Sequence, residues 1–191
     1  MRPAVIFIAA WLAWGLSWLA AALWTARTER RAVTGQIWLY RLLILLGAVA
    51  LYHRTSQFLG AERLWSVGYD GAYALAGVAI AGFLFTWWAR LHLGRLWSGA
   101  ITRKEGHRIV DTGPYGLVRH PIYTGLLLAT LVTAAVQATI PALAGFVLIA
   151  LGLWLKARLE EAFLAEELGA QAYGDYRRRV PMLVPFGPTG R

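Results

Sequence analysis

The chain has 191 residues, of which 58% are hydrophobic and only 15% charged, a net charge of +9, and no cysteine. A soluble domain carries roughly 45–50% apolar and about 25% charged residues, so a single compact membrane domain is expected instead. The missing cysteines exclude disulfides, zinc–thiolate sites, a thiol nucleophile and S-lipidation of the chain itself.

The basic residues flank apolar stretches and form no single basic face, so membrane topology explains the charge better than nucleic acid does. Pro3 to Trp24 carries no charge and is long enough to cross the roughly 30 Å hydrocarbon core. Arg2 ahead of it and Ala20, Ala21 and Ala22 at its end resemble a signal peptide. Its apolar run is longer than a typical h-region, however, and Arg27, Arg30 and Arg31 follow, which favours a retained first helix.

A second span is expected over roughly Gln36 to Tyr52, with Arg41 close enough to its end to anchor by snorkelling. A third runs from about Asp70 to Ala89, where Gly77 and Ala81 have the spacing of a helix-packing face. A polar, glycine-containing loop from Arg90 to His120 comes next. Ile122 to Leu155 then gives 34 residues without a charge, read as a tight helical hairpin turning near Gln137 and Pro141. From Lys156 the helix is expected to continue to about Gly169, with Lys156–Glu160 and Arg158–Glu161 spaced to pair on its surface.

The fold class is therefore all-α, a polytopic bundle of about five transmembrane helices. One domain is expected over residues 1–191, with N-terminal spans in 1–89 and the polar loop, hairpin and tail in 90–191. Lys and Arg number 15 on the side holding the first loop, the 90–120 loop and the tail, against three (Arg2, Arg54 and Arg63) on the other. The positive-inside rule then puts the N-terminus outside and the large loop and tail together in the cytoplasm.

Between the third and fourth spans lies GPYGLVRHPIYTG, residues 113 to 125. Pro121 disfavours helical geometry at His120 but suits a helix's first turn, so a helix should start there with its free N–H groups turned to the loop. Such a terminus favours an anionic group, and Arg119 adds a cation beside it. On their own, Arg119 would read as an interfacial anchor and His120 as a loop residue.

Arg119, His120, Pro121, Tyr123 and Gly125, a hydrophobic hairpin, then Glu160 and Glu161, then Tyr173 and Tyr176 follow in that order. Over about residues 90 to 185 this pattern resembles the isoprenylcysteine carboxyl methyltransferase family. The resemblance implies an integral membrane methyltransferase using S-adenosyl-L-methionine (SAM), with a lipidic or small apolar acceptor reaching it from the bilayer. It also implies the inner (plasma) membrane of a bacterium, with the active site facing the cytoplasm. Cofactor binding is expected from Tyr115, His120, Pro121, Tyr123, Gly125, Glu160 and Glu161, and catalytic roles from Arg119, His120 and Arg177. The glutamates would hold the ribose hydroxyls or amino group, and Arg119 or Arg177 an acceptor carboxylate.

A carboxylate acceptor needs no general base, whereas an amine or thiol acceptor would make His120 or a glutamate a candidate base. No metal site is expected, since His53, His92, His107 and His120 lack ligand-like spacing. Two further readings stay open: an NADPH-dependent membrane reductase of the sterol-reductase type, and a non-catalytic membrane partner. The residues do not indicate an oligomeric state.

Overall fold

The computed structural model describes residues 2–32, 35–52 and 63–189; His53 and Arg54 lie outside them. Five apolar helices dominate: α1 (Pro3–Ala21), α2 (Gln36–Tyr52), α3 (Tyr69–Leu93), α5 (Pro121–Gln137) and α6 (Ile140–Leu168). The four-residue α4 (Pro114–Leu117) precedes α5, and α7 (Ala170–Arg179) follows α6. Among the described residues, three helical segments are long and apolar enough to cross a membrane: Pro3–Ala21, Tyr69–Leu96 and Ile140–Leu168. The other two, α2 and α5, have 17 residues each. At 1.5 Å rise per residue each covers only about 26 Å, a little short of the hydrocarbon core.

The helix boundaries follow local chemistry. Pro121 occupies the first turn of α5, with His120 in a non-helical conformation before it. Ala138 takes a left-handed conformation at the C-terminus of α5, and the Thr139 side chain accepts from Ala142 N to start α6. The hairpin turn therefore falls between Gln137 and Ile140. Gly169, at φ 101°, breaks α6 from α7 where only glycine is comfortable.

Packing is pairwise, α2 against α6 and α3 against α5, and glycines allow both close crossings. A Cβ at Gly145 would lie 2.7 Å from Gly47 O, and one at Gly125 would lie 2.7 Å from Thr86 Cγ2. The expected packing face at Gly77 and Ala81 is instead exposed; α3 packs through Ala72, Ala76, Ala79 and Gly82. Small spacing alone does not say which helical face meets a neighbour. The first helix leans on α3 and α5 through Trp14 Nε1 donating to Thr86 Oγ1 and Trp11 Nε1 donating to Thr133 Oγ1.

Two expectations for the polar segments change. The loop after α3 begins at Gly94, because Arg90 is still helical and fully buried. Its guanidinium donates to Gly94 O, Ala21 O and Trp24 O and lies over the Trp24 and Trp97 rings, tying the ends of α1 and α3 together. The fold is also not purely helical. β1 (Thr28–Arg31) and β2 (Thr102–Lys104) form an antiparallel pair. Neither strand has the apolar alternation that announces one. Lys104 Nζ holds the pair from inside, donating to Ala26 O and Thr28 Oγ1.

Candidate functional site

The loop after α3, the start of α5, the end of α6 and α7 converge on two structures that share a wall. The first is a closed ionic cluster. Glu161, 4% exposed, accepts from Arg119 Nε at 2.7 Å and from Arg119 Nη2 at 3.3 Å. His120 Nε2 lies 3.1 Å from the same carboxylate. Since a carboxylate only accepts, Nε2 carries the proton. Arg177 Nε stands 3.4 Å from Glu161 Oε2, within ion-pair range but not aligned as a hydrogen bond.

Arg119 also clamps the tail. Its Nη1 donates to Arg177 O at 3.2 Å and, at short range, to Val180 O. The backbone joins in: Arg119 N donates to Pro181 O at 2.8 Å and His120 N to Met182 O at 3.1 Å. Thr124 Oγ1 completes the strap by donating to Leu183 O at 2.6 Å. The N–H groups of residues 119 and 120 are therefore taken by the tail's own carbonyls.

The second structure is a cavity of about 470 Å³, within the roughly 300–1,000 Å³ range of small-molecule sites. Tyr115, His120, Tyr123, Glu160, Tyr173 and Tyr176 line its polar end, with His107 and Arg108 from the loop. Trp18, Leu19, Ile44, Leu93, Trp97 and Leu153 line its apolar part. Glu160 accepts from Tyr123 Oη at 2.6 Å, while the Tyr123 ring stacks on His120 with an interplanar angle of 3°. Tyr176 Oη donates to Tyr115 O at 2.8 Å, closing α7 over the motif.

Burial pushes the phenols of Tyr115, Tyr173 and Tyr176 well above their ordinary value, so they act as donors and ring surfaces, not bases. Burial lowers the His107 pKa, against an opposing pull from Glu160, which favours a neutral ring.

The sequence-derived site residues therefore separate. Tyr115, Arg119, His120, Pro121, Tyr123 and Glu160 reach the cavity wall. Glu161 and Arg177 sit behind it in the ionic cluster, and Gly125 faces α3 at the helix crossing. The expected surface pairs of α6 do not form. Glu161 turns to Arg119, just before α5, rather than to Arg158, and Glu160 to Tyr123 on α5 rather than to Lys156. Arg158 lies over the Trp154 ring instead. Sequence reasoning missed Thr102, His107 and Lys156 as cavity residues. Lys156 was one helical turn ahead of Glu160, a signal available from periodicity. Thr102 had none.

Fold and site together define a mostly helical membrane protein with a largely apolar cavity that carries a polar end, and comparison with known proteins supplies the class of chemistry, methyl transfer. Residues 75–166, just under half of the chain, match the model of the isoprenylcysteine carboxyl methyltransferase (ICMT) family. The chain is 29% identical over 150 residues to protein-S-isoprenylcysteine O-methyltransferase B of Arabidopsis thaliana, covering 77% of this chain and 74% of that one. It is 48% identical over 75 residues to methanethiol S-methyltransferase 2 of Bradyrhizobium diazoefficiens, covering 37% and 26% respectively. The protein-S-isoprenylcysteine O-methyltransferase of Schizosaccharomyces pombe is 33% identical over 93 residues, covering 47% and 38%. The protein is a methyltransferase, and its residues 75–166 are similar to the ICMT family.

Proposed function

We propose that this protein is a SAM-dependent membrane methyltransferase acting on an acceptor with an apolar body. The observation that carries the reading is the division of one cavity into a polar end beside Glu160 and an apolar end between α1, α2 and α3. The polar end fits the cofactor's chemistry. Glu160 is a carboxylate at the wall with one oxygen held by Tyr123, suited to hydroxyl or amino donors. The rings of Tyr115, Tyr173 and Tyr176 offer π faces to a cation such as a sulfonium.

When bound, the cofactor supplies an electrophilic methyl group on a positive sulfur. Glu160 and the rings of Tyr115, Tyr173 and Tyr176 would hold that group, whose methyl would pass to a lone pair of the acceptor. The residues' work is alignment and exclusion of water. The cluster of Arg119, His120 and Glu161 is a positioning device: it fixes the start of α5 and the tail strap, and so the wall that carries Tyr123 and Glu160. Four of the five N–H donors of Arg119 are in use, which leaves it a single N–H for any other partner.

The apolar end is reached from the bilayer. Leu19 on α1 and Ile44 on α2 flank it, and Leu19 is itself exposed. All five apolar helices cross the membrane, a bacterial inner membrane, with the polar end facing the cytoplasm as the charge bias of the loops implies. A prenylcysteine-like carboxylate and an apolar thiol are both acceptors of this shape.

Equilibrium binding to detergent-purified protein tests the reading. SAM is expected to bind saturably and NADPH not to compete. Absence of SAM binding by folded protein overturns it, and NADPH binding alone replaces it with the reductase reading. Incubating membranes with methyl-labelled SAM then identifies the labelled lipid or thiol fraction.

A further inference from the structure

Residues 182 to 186 form an apolar run, MLVPF, at the end of the tail strap. Three bonds fix the direction of the strap. Arg119 N donates to Pro181 O, His120 N to Met182 O, and Thr124 Oγ1 to Leu183 O. Donors and acceptors advance together, so the strap runs alongside the chain as it enters α5. Thr124 is three residues after Pro121, about 4.5 Å along the helix axis. Leu183 is therefore level with the first turn of α5, and the turn that follows it starts there.

That turn carries an unusual residue at its tip. Gly187 N donates to Val184 O at 3.0 Å, with Pro185 and Phe186 between them. Phe186 has a φ of 61°. Proline in the second place and a positive φ in the third define a type II turn, whose third place favours glycine. A bulky side chain there is a backbone outlier, held against its own preference. Nothing within the fold rewards it: Phe186 is 99% exposed and Val184 65%. Leu16 and Leu19 are exposed to much the same degree as Val184, on a helix apolar enough to cross a membrane. The 17 residues of α5 cover about 26 Å, against a hydrocarbon core of roughly 30 Å. A span this short draws the bilayer surface in to its ends, so its first turn lies at the hydrocarbon boundary. The tip beside that turn meets lipid there.

We infer that the turn of residues 184–187 is a membrane anchor. Phe186 and Val184 insert among the acyl chains of the leaflet on the side of the polar cavity end, and hold the tail strap closed over the start of α5. Burial of the ring in lipid offsets the strain of its backbone. The consequence reaches the site. Met182 and Leu183 pack on the core cluster that contains Tyr115 and Tyr123. The same strap supplies the carbonyls that clamp Arg119, which holds Glu161. Bilayer contact at the tail thus steadies the cavity wall. The anchor rests on the reading of α5 as a membrane span, and not on the identity of cofactor or acceptor.

The test uses the full-length protein in phosphatidylcholine nanodiscs. The sequence has no cysteine, so single-cysteine variants carry an environment-sensitive fluorophore at one site each. Phe186→Cys is compared with Leu131→Cys, exposed in the middle of α5, and Glu105→Cys, exposed in the loop after α3. Lipid brominated near the head group is expected to cut emission at position 186 to less than about half, with aqueous iodide without effect. Position 131 should respond to lipid brominated near the chain ends, and position 105 to iodide alone. If iodide quenches position 186 and brominated lipid does not, while position 131 responds to lipid, the anchor is overturned and a soluble partner becomes the occupant of the tip. If position 131 fails to respond to lipid, the span reading falls and the anchor with it. A second measurement needs no label. Glycine suits the turn better than phenylalanine, so a merely structural tip predicts slower amide exchange at Arg119 and His120 in Phe186→Gly. The anchor predicts the reverse, exchange faster by roughly threefold or more in nanodiscs, with Phe186→Leu close to wild type. Unchanged or slower exchange in Phe186→Gly overturns it.

Discussion

Glu160 and Glu161 are neighbours in sequence and opposites in environment. Glu161 is buried among Arg119, His120 and Arg177, with both oxygens engaged. Glu160 lies at the cavity wall, engaged by Tyr123 on one oxygen. A step of one residue turns a helical side chain by about 100°, so adjacent carboxylates on α6 serve different faces. One face holds the architecture together and the other faces the cavity. A doubled glutamate in sequence is thus two functions and not one repeated.

The comparison breaks most decisively through the closed face. Arg119→Ala leaves Glu161 buried without its main counter-charge, and breaking a buried pair costs about 3–5 kcal/mol. Thermal unfolding in detergent is expected to drop sharply, with the tail strap released. A variant that melts like wild type but has lost only SAM binding would move Arg119 to the ligand face. Gly125→Val comes next: a Cβ there meets Thr86 Cγ2 at 2.7 Å, and overpacking of this kind costs about 1–3 kcal/mol. Its melting temperature should fall, with SAM affinity unchanged in the folded fraction.

The open face responds differently. Glu160→Gln keeps the shape and a hydrogen-bond acceptor for Tyr123, so stability should stay within about 1 kcal/mol of wild type. Equilibrium binding should show SAM affinity reduced roughly tenfold. Equal loss of stability in Glu160→Gln and Glu161→Gln would erase the contrast between the two carboxylates.

The smallest effect is in pH dependence. Burial depresses the His107 pKa below its ordinary value of 6.5. The unfolded chain therefore binds more protons than the folded one as pH falls past 6.5. The His107 contribution to stability is complete above that value and is lost as pH drops toward the folded pKa. Melting temperature against pH should slope less steeply in His107→Gln than in wild type, and identical slopes would remove His107 from the buried wall.

Much of the fold was legible in order. The apolar runs located all five apolar helices, and Pro121 located the start of α5. The β1–β2 pair was not, because a ribbon such as Thr28–Arg31 has no apolar alternation and is held by a lysine from another segment. The site was half legible. The motif brought together Tyr115, His120, Tyr123 and Glu160, but it also included Gly125, whose role is the close crossing with α3. Thr102 was invisible, since a single threonine in a polar loop has no pattern to read.

The sequence by itself determined where the chain becomes helix and which segments favour lipid, because these depend on local hydrophobicity, proline geometry and charge placement. Only the tertiary structure decided which glutamate is locked in ion pairs, which faces the cavity, and which glycine marks a crossing. Those depend on partners brought from 37 to 61 residues away in the chain, as Tyr123–Glu160 and Arg119–Val180 are. In a buried site the nearest available charge in space, and not in sequence, sets what a side chain can do.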